Sequence, residues 1–126
     1  MENTPFYAES GGQVGDNGVM SCNDTVLQVL DTYKVGDDIR HLCILEKGSL
    51  DKVENGIFEL SIDAGRRNKI KANHTATHLL QSALKLIIDT SVSQRGSLVA
   101  FDRLRFDFNS PSALISPTIP SFILSK

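Results

Sequence analysis

Polar and cationic residues recur at alternating steps of four and three between residues 66 and 88, and this spacing predicts one long amphipathic helix. These polar positions form a single stripe: Arg67, Lys71, His74, His78, Gln81 and Lys85. The opposite side carries an apolar arc wide enough to pack on a sheet: Ala72, Ala76, Leu79, Leu80, Ala83, Leu84, Leu86 and Ile87. We therefore expect the two histidines to lie on a polar face, away from the contact between helix and sheet.

Short strands are predicted on both sides of this helix. Strand composition, alternation and Gly or Asp turns indicate strands over residues 25–33, 39–45, 57–63, 98–101 and 104–108. In the last strand Leu104, Phe106 and Phe108 share one face, which is a natural partner for the apolar arc of the helix. The predicted fold is therefore α+β: a small glycine-rich β-barrel followed by a long helix packed on an antiparallel sheet.

Glycine is dense in an early loop that contains Gly11, Gly12, Gly15 and Gly18. Such a loop can cradle a phosphate or permit tight bends. No helix is predicted directly after it, so it matches neither a P-loop nor a Rossmann turn. Tight bends are the favoured interpretation.

The pattern divides the chain into three parts. Residues 1–63 are predicted to form the glycine-rich barrel-like domain, and residues 64–109 the helix with its sheet. Residues 110–126 contain Pro111, Pro117 and Pro120, which forbid a continuous helix, and are predicted to form a disordered tail.

Composition excludes several classes of protein. The 126 residues carry a net charge of −2, so the chain is not a globally basic nucleic-acid binder. Two cysteines without metal-binding spacing favour a reducing compartment. No apolar run is long enough to span a bilayer, and the N-terminus lacks signal-peptide or transit-peptide character. We expect a cytoplasmic protein without a membrane partner; an organelle and the oligomeric state stay open.

A local basic patch does occur at the start of the predicted helix, at Arg66, Arg67, Lys69 and Lys71. Cations at that end oppose the helix dipole, and a phosphate partner would remove the conflict. A solvated basic turn is the alternative.

His74 and His78 are four residues apart, so one turn of helix can present both imidazoles to a single Zn²⁺. The residue after His74 is Thr75 rather than Glu, so the usual general base of an HExxH site is absent. A solvated polar face that happens to hold two histidines is the alternative. A zinc site also needs at least one further protein ligand.

Three segments together carry a family resemblance: TPFYAESGGQVGD (4–16), RRNKIKANHTATHLL (66–80) and VSQRGSLVAFDRLRFDF (92–108). In their order along the chain and in their amino-acid sequences they resemble the editing region of alanyl-tRNA synthetases, which also exists as free-standing AlaX-type proteins. The resemblance covers about residues 3–109.

This resemblance implies a zinc held by His74 and His78, completed in the family by a downstream Cys-x-x-x-His pair that residues 109–126 do not contain. It implies a substrate-contacting role for Thr77 and polar pocket positions for Gln94 and Ser97. The implied reaction is hydrolysis of mischarged Ser- or Gly-tRNA(Ala). With two zinc ligands missing, we expect weak zinc binding and little or no hydrolysis. ATP-dependent aminoacylation is expected to lie in another part of the family's proteins.

Three hypotheses follow from the sequence. The chain is a piece of an editing domain, a non-catalytic module for the acceptor end of tRNA(Ala) that uses the basic patch, or an inert remnant. None of the three hypotheses includes DNA as a partner of the chain.

Overall fold

The structure, a computed structural model, describes residues 4–52 and 56–111. Its strands and helix are, in chain order, β1 (Gly18–Cys22), β2 (Thr25–Val35), β3 (Asp38–Lys47), β4 (Glu59–Ile62), α1 (Ala64–Ile87), β5 (Gln94–Val99) and β6 (Leu104–Phe108). A 3₁₀ turn, Leu50–Lys52, follows β3. Within the described ranges, no helix is both long and apolar enough to cross a membrane.

The first four strands form an antiparallel sheet in the order β3-β2-β1-β4, and β5 pairs with β6 as a hairpin. One long helix accompanies the two sheets, so the predicted α+β class is confirmed. The predicted barrel is wrong, because β3 and β4 are the two edges of the sheet and do not pair with each other among the described residues. β4 has only four residues and pairs with β1 at the opposite edge of the sheet from β3.

Tight turns set the register of this sheet. Asn23 adopts a left-handed φ of 52° between β1 and β2, and Gly36 adopts a φ of 62° between β2 and β3. Both backbone conformations suit the residue types found there, because Asn and Gly tolerate positive φ. The resulting alternation buries Met20 and Val29 on the inner face. With Phe6 they form the core of the sheet, against which Leu27, Cys43, Phe58, Leu60 and Ile62 pack.

Helix α1 begins after Asp63, whose carboxylate accepts a hydrogen bond of 2.8 Å from the backbone N–H of Arg66. The predicted helix over residues 66–88 is confirmed with small shifts at its ends. The helix lies against both β5 and β6. The alternation predicted for the last strand is also confirmed, since Leu104, Phe106 and Phe108 are half-buried there.

The predicted contact face of the helix is confirmed at Leu84, which is buried, but is wrong at other positions. The buried residues of α1 are Ile70, Thr77 and Leu84, whereas Leu79 and Leu86 are 67% and 87% exposed. A two-stranded hairpin covers only a narrow stripe of a helix. The rotation of that stripe is fixed at the N-terminal end of the helix, where Arg66 and Arg67 are bonded to the glycine-rich loop.

The division of the chain at residues 63 and 64 stays a prediction. Of the predicted tail, residues 112–126 lie outside the described residues.

Candidate functional site

The predicted zinc pair lies on the exposed side of α1. The His74 and His78 rings are 4.9 Å apart between centroids and inclined by 47°. Both residues are exposed, as the sequence predicted. The glycine-rich loop orients the first ring, because His74 Nδ1–H donates a hydrogen bond of 2.8 Å to Gln13 Oε1. In a neutral imidazole this leaves Nε2 as the nitrogen with a free lone pair.

These two imidazoles are an incomplete metal site by themselves. Within residues 4–52 and 56–111, no group of three or more His, Cys, Asp or Glu side chains could hold a metal ion. Structural zinc sites use four protein ligands and catalytic sites three. Their role as ligands stays a prediction.

Thr77 lies between the two histidines in sequence but on the inner side of the helix. It is 7% exposed, and its hydroxyl donates a hydrogen bond of 2.9 Å to the carbonyl oxygen of Asn73. The hydroxyl therefore already has a backbone acceptor within the helix. A substrate-contacting role for Thr77 stays a prediction.

Gln94 and Ser97 lie on β5 and contact each other. Gln94 Nε2 donates a hydrogen bond of 2.9 Å to Ser97 Oγ, and Ser97 Oγ donates one of 3.4 Å to the carbonyl oxygen of Gly11. The glycine-rich loop thus runs beside β5. Since Gln13, two residues after Gly11 in the same loop, bonds to His74, the loop connects the hairpin with the histidine pair. Pocket-lining roles for Gln94 and Ser97 stay predictions.

Gly12 permits this close approach of loop and strand. Its carbonyl oxygen accepts a hydrogen bond of 2.7 Å from the N–H of Val99, and the N–H of Val14 donates one of 3.1 Å to the carbonyl oxygen of Val99. Gly12 has a φ of +85°, and a Cβ at this position would overlap Ser97 Oγ. The tight bends expected from the glycine density therefore allow the loop to pack against β5. The loop and the strand are joined there by a parallel β-bridge between Gln13 and Val99.

The basic patch divides into two kinds of residue. Arg66 Nη1 donates a hydrogen bond of 2.8 Å to the carbonyl oxygen of Gly15, and its guanidinium lies 5.4 Å from the centre of the Phe101 ring. Arg67 pairs with Asp16 and donates a further bond of 2.8 Å to the carbonyl oxygen of Pro5. Both arginines therefore join the start of the helix to the N-terminal segment.

Asp16 is the centre of this junction. It is 2% exposed, and its carboxylate also accepts a hydrogen bond of 2.7 Å from the N–H of Tyr7. The hydrogen bonds from Arg67 to this carboxylate raise the pKa of the guanidinium. The sequence analysis missed this internal partner. Its negative charge offsets the unfavourable interaction between the Arg67 cation and the helix dipole.

Lys69 and Lys71 differ from the arginines. Both are exposed, and in the part of the chain that the structure describes neither ammonium group has a hydrogen-bond or ion-pair partner. Of the four predicted tRNA-binding residues, only Arg67 is paired with a carboxylate among the described residues, and the two lysines differ from Arg66 in that their ammonium groups are not held by any partner there.

A cleft of about 400 Å³ opens beside Lys71. It lies between the start of the helix and the N-terminal segment, and its lining is formed by Pro5, Phe6, Tyr7, Gln13, Arg67 and Lys71. Sequence reasoning missed this cleft, although Pro5, Tyr7 and Gln13 belong to one of the segments that carry the resemblance.

Comparison with known proteins places the chain in a family. A family model described as tRNA synthetases class II (A) matches residues 1–64. Alanine–tRNA ligase of Nostoc sp. is 54% identical over 114 residues, which are 90% of this chain and 13% of that protein. The enzyme of the same name from Trichormus variabilis is 52% identical over 119 residues, 94% of this chain and 13% of that protein. The chain thus spans about 13% of the length of these curated relatives.

These matches correct the recognition made from the sequence. The similarity to alanyl-tRNA synthetases holds, but the assignment to their editing region is wrong, because residues 1–64 match the class II synthetase family itself. The first of the three resembling segments lies entirely within that match. The chain is homologous to part of alanine–tRNA ligase, and it belongs to the family of class II (A) tRNA synthetases.

Proposed function

We propose that this chain is a non-catalytic, tRNA-contacting part of an alanine–tRNA ligase and that it binds the acceptor end of tRNA(Ala). The relatives carry the name of that ligase, and the exposed ammonium groups of Lys69 and Lys71 are the observation that carries the proposal. Aminoacylation with ATP belongs to the whole ligase, and this chain is assigned only the contact with RNA.

The physical basis is phosphate neutralisation. A chain with a net charge of −2 repels RNA as a whole, so attraction must come from a surface where cations are not already paired. Arg67 is paired with Asp16, whereas Lys69 and Lys71 on the same helix are free to exchange their counterions for phosphates. Each such contact makes affinity fall with salt.

Fluorescence anisotropy with labelled tRNA(Ala) at several salt concentrations tests this function. Lys69→Gln and Lys71→Gln should each weaken binding and lower the salt slope by about 0.7–0.9 per lost phosphate contact. Lys85→Gln is the matched control, because Lys85 is exposed in the last turn of the same helix. Equal slopes for all three variants and the wild type would refute the proposal. Duplex DNA of matching sequence should bind more weakly than the tRNA.

A second candidate role rests on the 4.9 Å separation of the two imidazole rings. His74 and His78 act as a pair of ligands for Zn²⁺, with His74 held in orientation by Gln13. The fit is partial, because two ligands hold zinc more weakly than the three or four of a completed site. A zinc ion bound by this pair would need additional ligand atoms from outside the helix to complete its coordination.

Calorimetric titration of the chain with zinc chloride tests the pair. We expect weak binding that is lost in His74→Ala and in His78→Ala. His41→Ala is the control, since His41 lies on β3 and contacts Thr4. Tight stoichiometric zinc would contradict the expected weakness of binding, and binding unaffected by either substitution in the pair would contradict the role of the histidines as ligands.

A further inference from the structure

Strand β3 is an edge of the four-stranded sheet, and among the described residues it pairs with β2 alone. An unpaired edge strand offers a row of backbone N–H and C=O groups to another chain, and proteins blunt such edges by shortness, charges, Pro or bulges. The other edge, β4, has only four residues, whereas β3 has ten. The centre of β3, Leu42 to Leu45, contains neither a charged residue nor Pro. The irregularities in its pairing with β2 fall at Leu30 of β2 and at Glu46, so β3 is regular up to Leu45.

The side chains of β3 divide between the two faces of the sheet. Ile39, His41 and Cys43 are half-buried on the inner face, where Cys43 packs against the core. Alternation places Leu42 and Ile44 on the outer face, and they are 51% and 53% exposed. Two large apolar side chains therefore lie exposed beside an open edge, which is the arrangement that strand addition uses.

The charges of β3 are complementary to those of a second copy of the same strand. Arg40 and Glu46 flank the apolar centre, and within the described ranges neither side chain has a hydrogen-bond or ion-pair partner. When two copies run antiparallel with the Cys43 residues opposite each other, Arg40 of each copy lies opposite Glu46 of the other. In the same register Leu42 lies opposite Ile44. Opposite charges and apolar pairs directly across two strands stabilise a sheet.

Neighbouring registers are less favourable. A shift by two residues in one direction places the carboxylates of Asp38 and Glu46 opposite each other. A shift by two in the other direction places Glu46 opposite Leu42 and Lys47 opposite His41. A shift by one residue sets inner-face side chains opposite outer-face ones. The sequence of β3 thus selects one register for pairing with itself.

We propose that two copies of this chain associate through β3, edge to edge and antiparallel, and form one continuous eight-stranded sheet. The strand order becomes β4-β1-β2-β3 followed by β3-β2-β1-β4 of the second copy. A two-fold axis passes beside Cys43, so each favourable pair occurs twice. The two edges that remain are both β4, whose shortness stops the assembly at the dimer.

Sedimentation equilibrium of the full chain over a range of concentrations tests this inference. The wild type should shift from 13.8 kDa towards twice that mass as the concentration rises. Ile44→Lys should raise the dissociation constant of the dimer by more than about 10-fold, because it replaces an apolar pair at two symmetric positions. Leu79→Lys is the matched control, since Leu79 is exposed on α1, and it should change the constant by less than about 2-fold.

A charge exchange tests the register separately from the apolar centre. Arg40→Glu and Glu46→Arg should each weaken the dimer by about 10-fold, because like charges then lie opposite each other at both ends. The double variant restores opposite charges and should return to within about 3-fold of the wild type. Both residues are exposed, so the fold of the monomer should be kept, and circular dichroism of each variant checks this.

The thiol of Cys43 reports the same register. Residues directly opposite in an antiparallel pair have Cα atoms about 4.5–5.5 Å apart, within the roughly 4.4–6.8 Å that a disulfide spans. A shift by two residues adds about 6.8 Å along the strand and places the thiols out of reach. Diamide should therefore link the wild type into a covalent dimer and should fail to link Cys43→Ser. Cys22→Ser is the control, because Cys22 is buried.

The outcomes separate the partner, the surface and the register. A mass that stays at 13.8 kDa at every concentration overturns self-association and leaves the edge of β3 to a strand of a different protein. A dimer that survives in a folded Ile44→Lys protein, or an assembly larger than a dimer, overturns β3 as a closed interface. Single charge variants without effect, or a double variant that does not recover, overturn the antiparallel register.

Discussion

Removal of the Arg67 guanidinium should destabilise the whole chain, because Asp16 depends on it. The Asp16 carboxylate is buried, with 3% of its side chain exposed, and its remaining partner would be the N–H of Tyr7. Arg67→Met keeps most of the apolar stem and removes the charge. The variant therefore leaves a buried carboxylate without its cation.

The magnitude follows from the burial of the two partners. Breaking a fully buried ion pair by deleting one partner costs about 3–5 kcal/mol. The Arg67 side chain is 29% exposed, so water can replace part of the lost interaction. We expect a loss of about 2 kcal/mol in the free energy of unfolding, below the range for full burial. For a domain of this size, this corresponds to a fall in Tm of roughly 10 °C.

Urea denaturation followed by circular dichroism measures this loss. A double-mutant cycle with Asp16→Asn isolates the pair, and the coupling energy should be roughly 1 kcal/mol or more. Lys69→Met is the matched control, because Lys69 is exposed two residues further along the same helix and should change stability by less than about 0.5 kcal/mol. A coupling energy near zero, or an equal effect of the two substitutions, would show that the pair does not hold the helix to the loop.

Other substitutions test the packing of the helix, the loop and the sheet. Ile70→Ala should cost about 2–5 kcal/mol in urea unfolding, because Ile70 is 1% exposed, whereas Leu79→Ala should cost less than about 0.5 kcal/mol; similar costs would refute the assigned helix face. Gly12→Ala should destabilise by more than about 1 kcal/mol and increase hydrogen exchange at the N–H of Val99, since a Cβ would overlap Ser97; unchanged exchange would contradict the close approach. Burial lowers the pKa of His41, so its stabilising contribution is present above the ordinary value of about 6.5 and is lost as pH falls through the lowered pKa of the folded state. The wild type should therefore lose more stability between pH 7 and pH 5 than His41→Gln does, and parallel melting curves would refute this.

Local signals in the sequence were sufficient for the helix and most strands. The spacing of polar residues located α1, and strand composition on both sides of Gly36 located β2 and β3. The strand β1 was missed, because glycine was interpreted as a sign of bends. Gly18 instead begins that strand, and a Cβ there would come within 2.9 Å of the Cα of Ile62 on β4. This close approach between strands is a tertiary requirement that a local pattern does not contain.

The candidate site also has one part that local sequence predicted and another that depends on contacts between distant residues. Four-residue spacing was enough to predict that His74 and His78 lie together and exposed. The contact of His74 with Gln13 spans 61 residues, and the pairing of Arg67 with Asp16 spans 51. Neither contact is visible in the local sequence, and periodicity alone likewise predicted that the exposed Leu79 would be buried.

The bond between Ser97 and Gly11 joins residues 86 positions apart. During synthesis, the early loop must therefore wait for the next 86 residues before it acquires this neighbour. Contacts of such high sequence separation slow folding, because the entropy of closing a long loop is lost before the contact forms. On the ribosome, the four-stranded sheet can assemble before β5 is made, and the loop beside the histidines is completed only after β5 has been made.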